Sequence, residues 1–232
     1  MGPIITQPIR AVIFDLDGTL IDTAAEIAVA LNRTLGERGL PALAKKHVEN
    51  LIGRGVRSMV ERALAQVGAP DLSVDAAVEH FEGHYAKTVG TEAKLFPGVL
   101  PGLRLLCEKG YKISVVTNKP RYFTERLLER LEVKTLFAAV VAGDDGIRRK
   151  PHGDMLDAAC RAMGSSAGSS LMIGDSDNDV IAARNAGCPV WCVRYGYNEG
   201  RPPETLACDR LVASVDEAAR LLVESNRANH TL

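Results

Sequence analysis

Short apolar runs recur along the chain, and each is followed by a stretch with helical spacing. Ala11–Phe14 is the first, a run with β-branched Val12 and Ile13 that reads as a buried strand. Similar runs stand at 113–116, 138–141, 171–173 and 190–193. Between them the apolar positions fall three and four residues apart, as in Phe123, Leu127, Leu128 and Leu131, or Val180, Ile181, Ala183 and Ala186. Short strands alternating with helices predict a parallel sheet with helices on both faces. From Asp22 to Leu95 the alternation stops. Only helical spacing remains there: Ile27, Leu31 and Leu35, then Val56, Met59, Val60 and Leu64, then Val78, Phe81 and Tyr85. Phe96-Pro97-Gly98 closes the stretch with a turn. The expected fold is α/β, a doubly wound parallel-sheet (Rossmann-like) core with a small all-helical cap inserted after the first strand. The core takes residues 1–21 and 96–232, the cap residues 22–95.

Composition narrows the function more than the fold. A chain of 232 residues, 46% hydrophobic and 25% charged, has room for one full core with an inserted module. Its 28 basic and 29 acidic side chains leave a formal charge of −1, so no global field draws it to nucleic acid or to an anionic membrane. No uncharged stretch reaches the roughly 18 residues of a membrane span. Five irregularly spaced cysteines suit reduced thiols and a cytoplasmic protein. Cys188 and Cys192 read as two positions on one strand rather than as zinc ligands. Gly2 and Thr6 fit the letters of a myristoylation signal, against which Pro3 argues. Monomer and homodimer are both compatible with this composition.

Open α/β sheets bind ligands at the carboxyl ends of their strands, so the residues after each strand carry the chemistry. The first strand runs into Asp15-Leu16-Asp17-Gly18-Thr19-Leu20, two carboxylates followed by a glycine suited to a tight turn. The second ends in Thr117-Asn118, small donors facing the same crevice. After the third comes Arg149-Lys150-Pro151. The fourth ends in Gly174-Asp175-Ser176-Asp177-Asn178-Asp179, which opens a helix. One aspartate after a strand is ordinarily a turn or cap residue. Four such ends in this order converge an acid pair, a hydroxyl, a lysine and an acid cluster on one place. Oxygen-only ligands point to Mg2+, and the lysine with backbone donors suits a phosphoryl group. Asp177 is expected to face solvent or to cap its helix.

DLDGTL at 15–20, Thr117 of VVTNKP, Lys150 of RKP and GDSDND at 174–179 together resemble the four motifs of the haloacid-dehalogenase-like phosphatases. The likeness covers residues 9–225. LIGRGVRSMVERAL (51–64), VAGDDGIRRKPHGDML (141–156) and YGYNEG (195–200) resemble, within that group, the phosphoglycolate phosphatase family. Two departures are a short cap and Gly153-Asp154 where a proline-containing pair is common. The resemblance implies a Mg2+-dependent phosphomonoester hydrolase that converts 2-phosphoglycolate to glycolate and phosphate through an aspartyl-phosphate. Asp15 is then the nucleophile. Asp17 is the general acid and base, with neighbouring carboxylates expected to help it hold its proton. Thr117, the Asn118 backbone and Lys150 hold the phosphoryl oxygens. Asp15, the Asp17 carbonyl and Asp175 bind the metal, and Asp179 orders the metal's waters or Lys150. The Gly53–Arg57 segment opens a cap helix, so Arg54 and Arg57 are expected to read the substrate's second anion.

Other readings compete. A phosphosugar phosphatase or a phosphomutase shares the core motifs, the mutase with its own cap acid and base. A signalling receiver domain also phosphorylates an aspartate near a threonine and a lysine, but has no seventy-residue insertion. Gly164–Gly168 copies the letters of a hydrolase nucleophile elbow, yet follows a helix and precedes a strand, the reverse of an elbow. His80 and His84 read as a solvated helix face.

Overall fold

The computed structural model describes residues 8–229. Gly2 and Thr6 lie outside them. In chain order the elements are β1 (Ala11–Phe14), β2 (Ile21–Asp22), α1 (Ala24–Gly36), α2 (Lys45–Glu49), α3 (Val56–Gln66), α4 (Val74–Thr88), β3 (Lys94–Leu95), α5 (Val99–Glu108) and β4 (Lys112–Val116). They continue with α6 (Arg121–Arg130), β5 (Ala139–Val141), α7 (Asp154–Met163), β6 (Ser170–Gly174), α8 (Asp177–Ala186), β7 (Val190–Val193), β8 (Arg210–Val212) and α9 (Val215–Asn229). Six strands form one sheet in the order β5-β4-β1-β6-β7-β8, every pairing parallel.

The apolar run of β1 explains its central place. Val12 sits between Ile113 and Leu171, and all four residues of the strand are buried. Side chains of a strand alternate between faces. Accordingly Val12 and Phe14 join one core cluster, which includes Val115, Leu103 of α5 and Leu222 of α9. Ala11 and Ile13 join a second, with Met155 and Ala159 of α7 and Val180 of α8. A strand buried on both faces has no polar side to show, hence its uninterrupted apolar run.

The helical insertion follows β1, as its spacing predicts. Ile27, Leu31 and Leu35 of α1, Met59, Val60 and Leu64 of α3, and Phe81 and Tyr85 of α4 are buried together. The chain enters and leaves the insertion through β2 and β3, an antiparallel ribbon that pairs Ile21 with Leu95. On α4, His80 Nδ1 and His84 Nε2 each meet a carboxylate oxygen of Glu37, at 2.7 and 2.9 Å. Among the described residues no helix is long and apolar enough to cross a membrane.

Two local readings change. Cys192 is on β7, but Cys188 stands in the turn before it, where its N–H donates to Ala183 O and closes α8. The sheet also has a sixth strand, β8, that the apolar runs do not reveal. Only Val212 of its three residues is buried, and Arg210 stacks its guanidinium on Trp191 at 5.2 Å.

Candidate active site

Two strand ends are carried past their strands by one more ladder bond. Asp15 N–H donates to Ile173 O at 3.0 Å, and Thr117 N–H to Val141 O at 3.0 Å. The backbone of both residues is therefore fixed by the sheet while their side chains stand at its mouth. Beyond Asp15 the chain turns at once, with Leu20 and Ile21 both donating to Leu16 O. Gly18 takes φ +88° in this turn, and a β-carbon there would lie 2.5 Å from Asp175 Oδ2. Gly196 closes on the other side, where a β-carbon would lie 2.1 Å from Asp175 Cβ. Both positions need glycine because Asp175 fills the space.

Asp175 is held by two donors, Thr19 Oγ1 on Oδ1 at 2.8 Å and Tyr197 N–H on Oδ2 at 2.8 Å. Asp179 forms a capping box at the start of α8, its Oδ2 accepting from Ser176 Oγ at 2.8 Å and from the N–H groups of Asp175 and Ser176 at 3.1 Å. Its other oxygen meets Lys150 Nζ at 2.7 Å, and the same ammonium sits 2.7 Å from Asp15 Oδ1. Asp179 thus positions Lys150, while the Asp177 carboxylate turns outward to Arg201.

Carboxylate oxygens of Asp15, Asp175 and Asp179 lie within 4.8 Å of one another, and all three residues are buried. One ammonium offsets three carboxylates. The excess charge moves the pKa values of the acids. Burial raises the pKa of Asp15 well above the usual range against the pull of Lys150, and Asp179 and Asp175 raise it further. Burial, then Asp179, pushes Asp175 up to about 7. Burial opposes the charge on Lys150, but Asp15 and Asp179 outweigh it and hold its pKa above normal. A buried, oxygen-only set with excess negative charge fits a hard divalent cation.

Asp17 stays out of this cluster. Its carboxylate accepts from Thr23 Oγ1 at 2.6 Å and from Lys119 Nζ, 3.0 Å from each oxygen. The sequence suggests carboxylate neighbours for Asp17, whereas the charged group that pairs with it is an ammonium. Lys119 arrives because Lys119 N–H bonds to Thr117 Oγ1 at 3.2 Å, which turns the chain after β4 back over the first motif. Its side chain is 5% exposed, with Nζ 4.9 Å from the centroid of the Tyr85 ring. Tyr85 in turn donates to Glu26 at 2.9 Å. Burial raises the pKa of Glu26, whose carboxylate also accepts from Gly90 N–H at 2.8 Å. The signal for Lys119 was its place, two residues past a strand-end hydroxyl.

The side-chain amide of Asn118 bridges to Gly53 O at 3.0 Å and Lys150 O at 2.9 Å, tying the cap to the core. A small cavity of about 40 Å3 opens between the two, lined by Asp15, Asp17, Thr117, Asn118 and Lys119 from below. Its upper wall is apolar, with Ile52, Met59, Phe81 and Tyr85, and the backbone of Gly53 and Gly55 completes it. Arg54 and Arg57 are not among the lining residues. Arg54 forms a two-point ion pair with Glu199, Nη2 to Oε2 at 2.8 Å, and Arg57 pairs with Asp75 of the cap. The start of α3 therefore brings its glycines to the cavity and sends its arginines elsewhere.

Comparison with known proteins agrees with this geometry. The family profile described as haloacid dehalogenase-like hydrolase matches residues 12–193. A phosphoglycolate phosphatase of Nitrosospira multiformis is 40% identical over 222 residues, covering 94% of this chain and 98% of that one. A plasmid-encoded phosphoglycolate phosphatase of Cupriavidus necator is 42% identical over 226 residues, 97% of each chain. The crystal structure of a Haemophilus somnus protein, described as a predicted phosphoglycolate phosphatase, superposes with a TM-score of 0.88 at 27% identity, over 93% of this chain and 99% of that one. With its motifs gathered at the strand ends and a helical insertion after the first strand, the chain belongs to the haloacid dehalogenase-like hydrolases.

Proposed function

We propose that this protein is a Mg2+-dependent phosphomonoester hydrolase that cleaves 2-phosphoglycolate to glycolate and phosphate. The observation that carries the reading is the meeting of Asp15, Asp17, Thr117 and Lys150 at one end of the sheet, beneath a cavity covered by the cap. The names borne by the relatives at about 40% identity support the same substrate.

An Asp15 carboxylate oxygen attacks phosphorus in line, forming an O–P bond as the bond to the alkyl oxygen breaks. Asp17 gives its proton to that departing oxygen. Glycolate leaves, and Asp17, now a carboxylate, takes a proton from a water that attacks the aspartyl-phosphate. Phosphorus parts from Asp15, and phosphate is released. Thr117 Oγ1, the Asn118 backbone and Lys150 hold the equatorial oxygens throughout. Asp15, the Asp17 carbonyl and Asp175 would hold Mg2+, which would supply positive charge between the nucleophile and the phosphate. Asp179 keeps Lys150 in place beside it. The five free cysteines suit a reducing compartment, and we assign the protein to the cytoplasm.

Phosphate release from a panel of small monoesters tests the substrate, and Asp15→Asn tests the chemistry. The amide is nearly isosteric but no nucleophile, so turnover should fall at least a thousandfold with the thermal transition retained. Appreciable hydrolysis by Asp15→Asn would remove the covalent mechanism, and a better substrate than phosphoglycolate would remove the substrate assignment.

A further inference from the structure

A leaving group that carries a carboxylate brings a second negative charge into the cavity, distinct from the phosphate. Lys150 is already committed to Asp15 and Asp179 beside the phosphate position. The arginines of the cap are committed outside, Arg54 to Glu199 and Arg57 to Asp75. Among the described residues that line the cavity, Lys119 is the one cation. We propose that Lys119 Nζ receives the anionic end of the leaving group and so sets the enzyme's preference for acidic phosphomonoesters. This inference rests on the phosphatase reading given above.

The geometry suits the role in three respects. An ammonium has three donors, and Asp17 and the Tyr85 face occupy only part of its sphere, since the group also borders the cavity. Its side chain is almost fully buried, so a carboxylate beside it is screened little by solvent. Besides Asp15, Asp17, Thr117 and Asn118 the walls are aromatic, aliphatic or glycine backbone, and they offer an ionised carboxylate no rival partner of positive charge. Lys119 also joins the two ends of the reaction in space. The ammonium that takes the leaving group's carboxylate is in contact with the carboxyl group that protonates its oxygen, so an anionic leaving group is drawn toward its own proton donor.

The test is a ratio of specificities. For the wild type and for Lys119→Met and Lys119→Arg, kcat/KM is measured on 2-phosphoglycolate and on ethyl phosphate, which keeps the two carbons and lacks the carboxylate. Disturbance of Asp17 slows both substrates and cancels in the ratio. Loss of a charge-assisted contact to the carboxylate should lower the phosphoglycolate-to-ethyl phosphate ratio about ten- to hundredfold in Lys119→Met. Lys119→Arg keeps the charge but displaces it, and should retain part of the preference. If Lys119→Met does not fold, Lys119→Arg still decides, because a ratio equal to that of the wild type overturns the proposal. A ratio unchanged in folded Lys119→Met also overturns it. A wild type with no preference for phosphoglycolate fails at the earlier step, the substrate reading itself.

Discussion

Asp175 shows what the fold imposes on a single residue. Two glycines press on it, two donors pin it, and burial with Asp179 nearby moves its pKa from 3.8 to about 7. Between those values the folded protein binds a proton that the unfolded chain has already released. Stability contributed by this group is therefore present at low pH and is lost as pH rises from about 4 to about 7. Asp15, shifted in the same direction, adds to the loss. A divalent cation offsets the excess charge, and it binds the folded state alone, so it should restore the stability. Urea unfolding across this pH range with chelator and with Mg2+ measures the effect. The midpoint should fall with pH in chelator and fall much less in Mg2+. Equal curves would show that the three carboxylates hold no cation that matters to the fold.

At the scale of elements, polar contacts beside the cavity help to fasten the cap to the core. Glu199 takes Arg54 at two points and lies 3.6 Å from Arg62, and Asn118 reaches across to Gly53 O. The loop that presents Glu199 is strained, with φ of +38° at Asn198 and +51° at Glu199. Left-handed backbone at two non-glycine residues costs on the order of 1–2 kcal/mol each. Asn198 Nδ2 offsets part of it by donating to Arg201 O at 3.0 Å and Pro202 O at 3.2 Å. Glu199→Gln should loosen this fastening by about 1 kcal/mol, raising KM about fivefold without lowering kcat. A fall in kcat at constant KM would instead tie Glu199 to the chemistry. The sheet strands other than β8 were legible as uninterrupted apolar runs, and the cap helices α1, α3 and α4 because their buried positions repeat near 3.6. So were Asp15 and Asp175, the first residues past β1 and β6, and Lys150 and Asp179, in the segments that follow β5 and β6. β8 was not, because an edge strand of Arg210, Leu211 and Val212 has one buried residue and no run. The partners of Lys119 and Arg54 were hidden for another reason. Spacing tells which residues share an element, but not that Lys119 folds back onto Asp17 or that Arg54 finds Glu199, 145 positions away.

Over the whole molecule, the insertion and the sheet share one apolar interior. The cluster that holds Phe14 and Val115 of the sheet and Leu222 of α9 also holds Leu31, Met59 and Tyr85 of the cap. It passes between them through Leu16, Leu20, Ile21, Ala24 and Ala93, at the β2–β3 ribbon. Cap opening must then break the contacts around Gly53, Arg54 and Glu199 while leaving this base packed, which describes a hinge rather than a separating domain. A shared interior also makes unfolding of one part expose the other. Trp191, the chain's single tryptophan, is buried on β7 far from the cap helices in sequence and reports the sheet, whereas helical circular dichroism reports the helices of cap and core together. The two signals should follow one urea transition with a common midpoint. A helical signal lost ahead of Trp191 would mean that the cap unfolds alone and that the packing around Leu20 and Ile21 does not couple it to the sheet. Coincidence would place cap motion in the native state, with the cavity opening and closing over a core that remains folded.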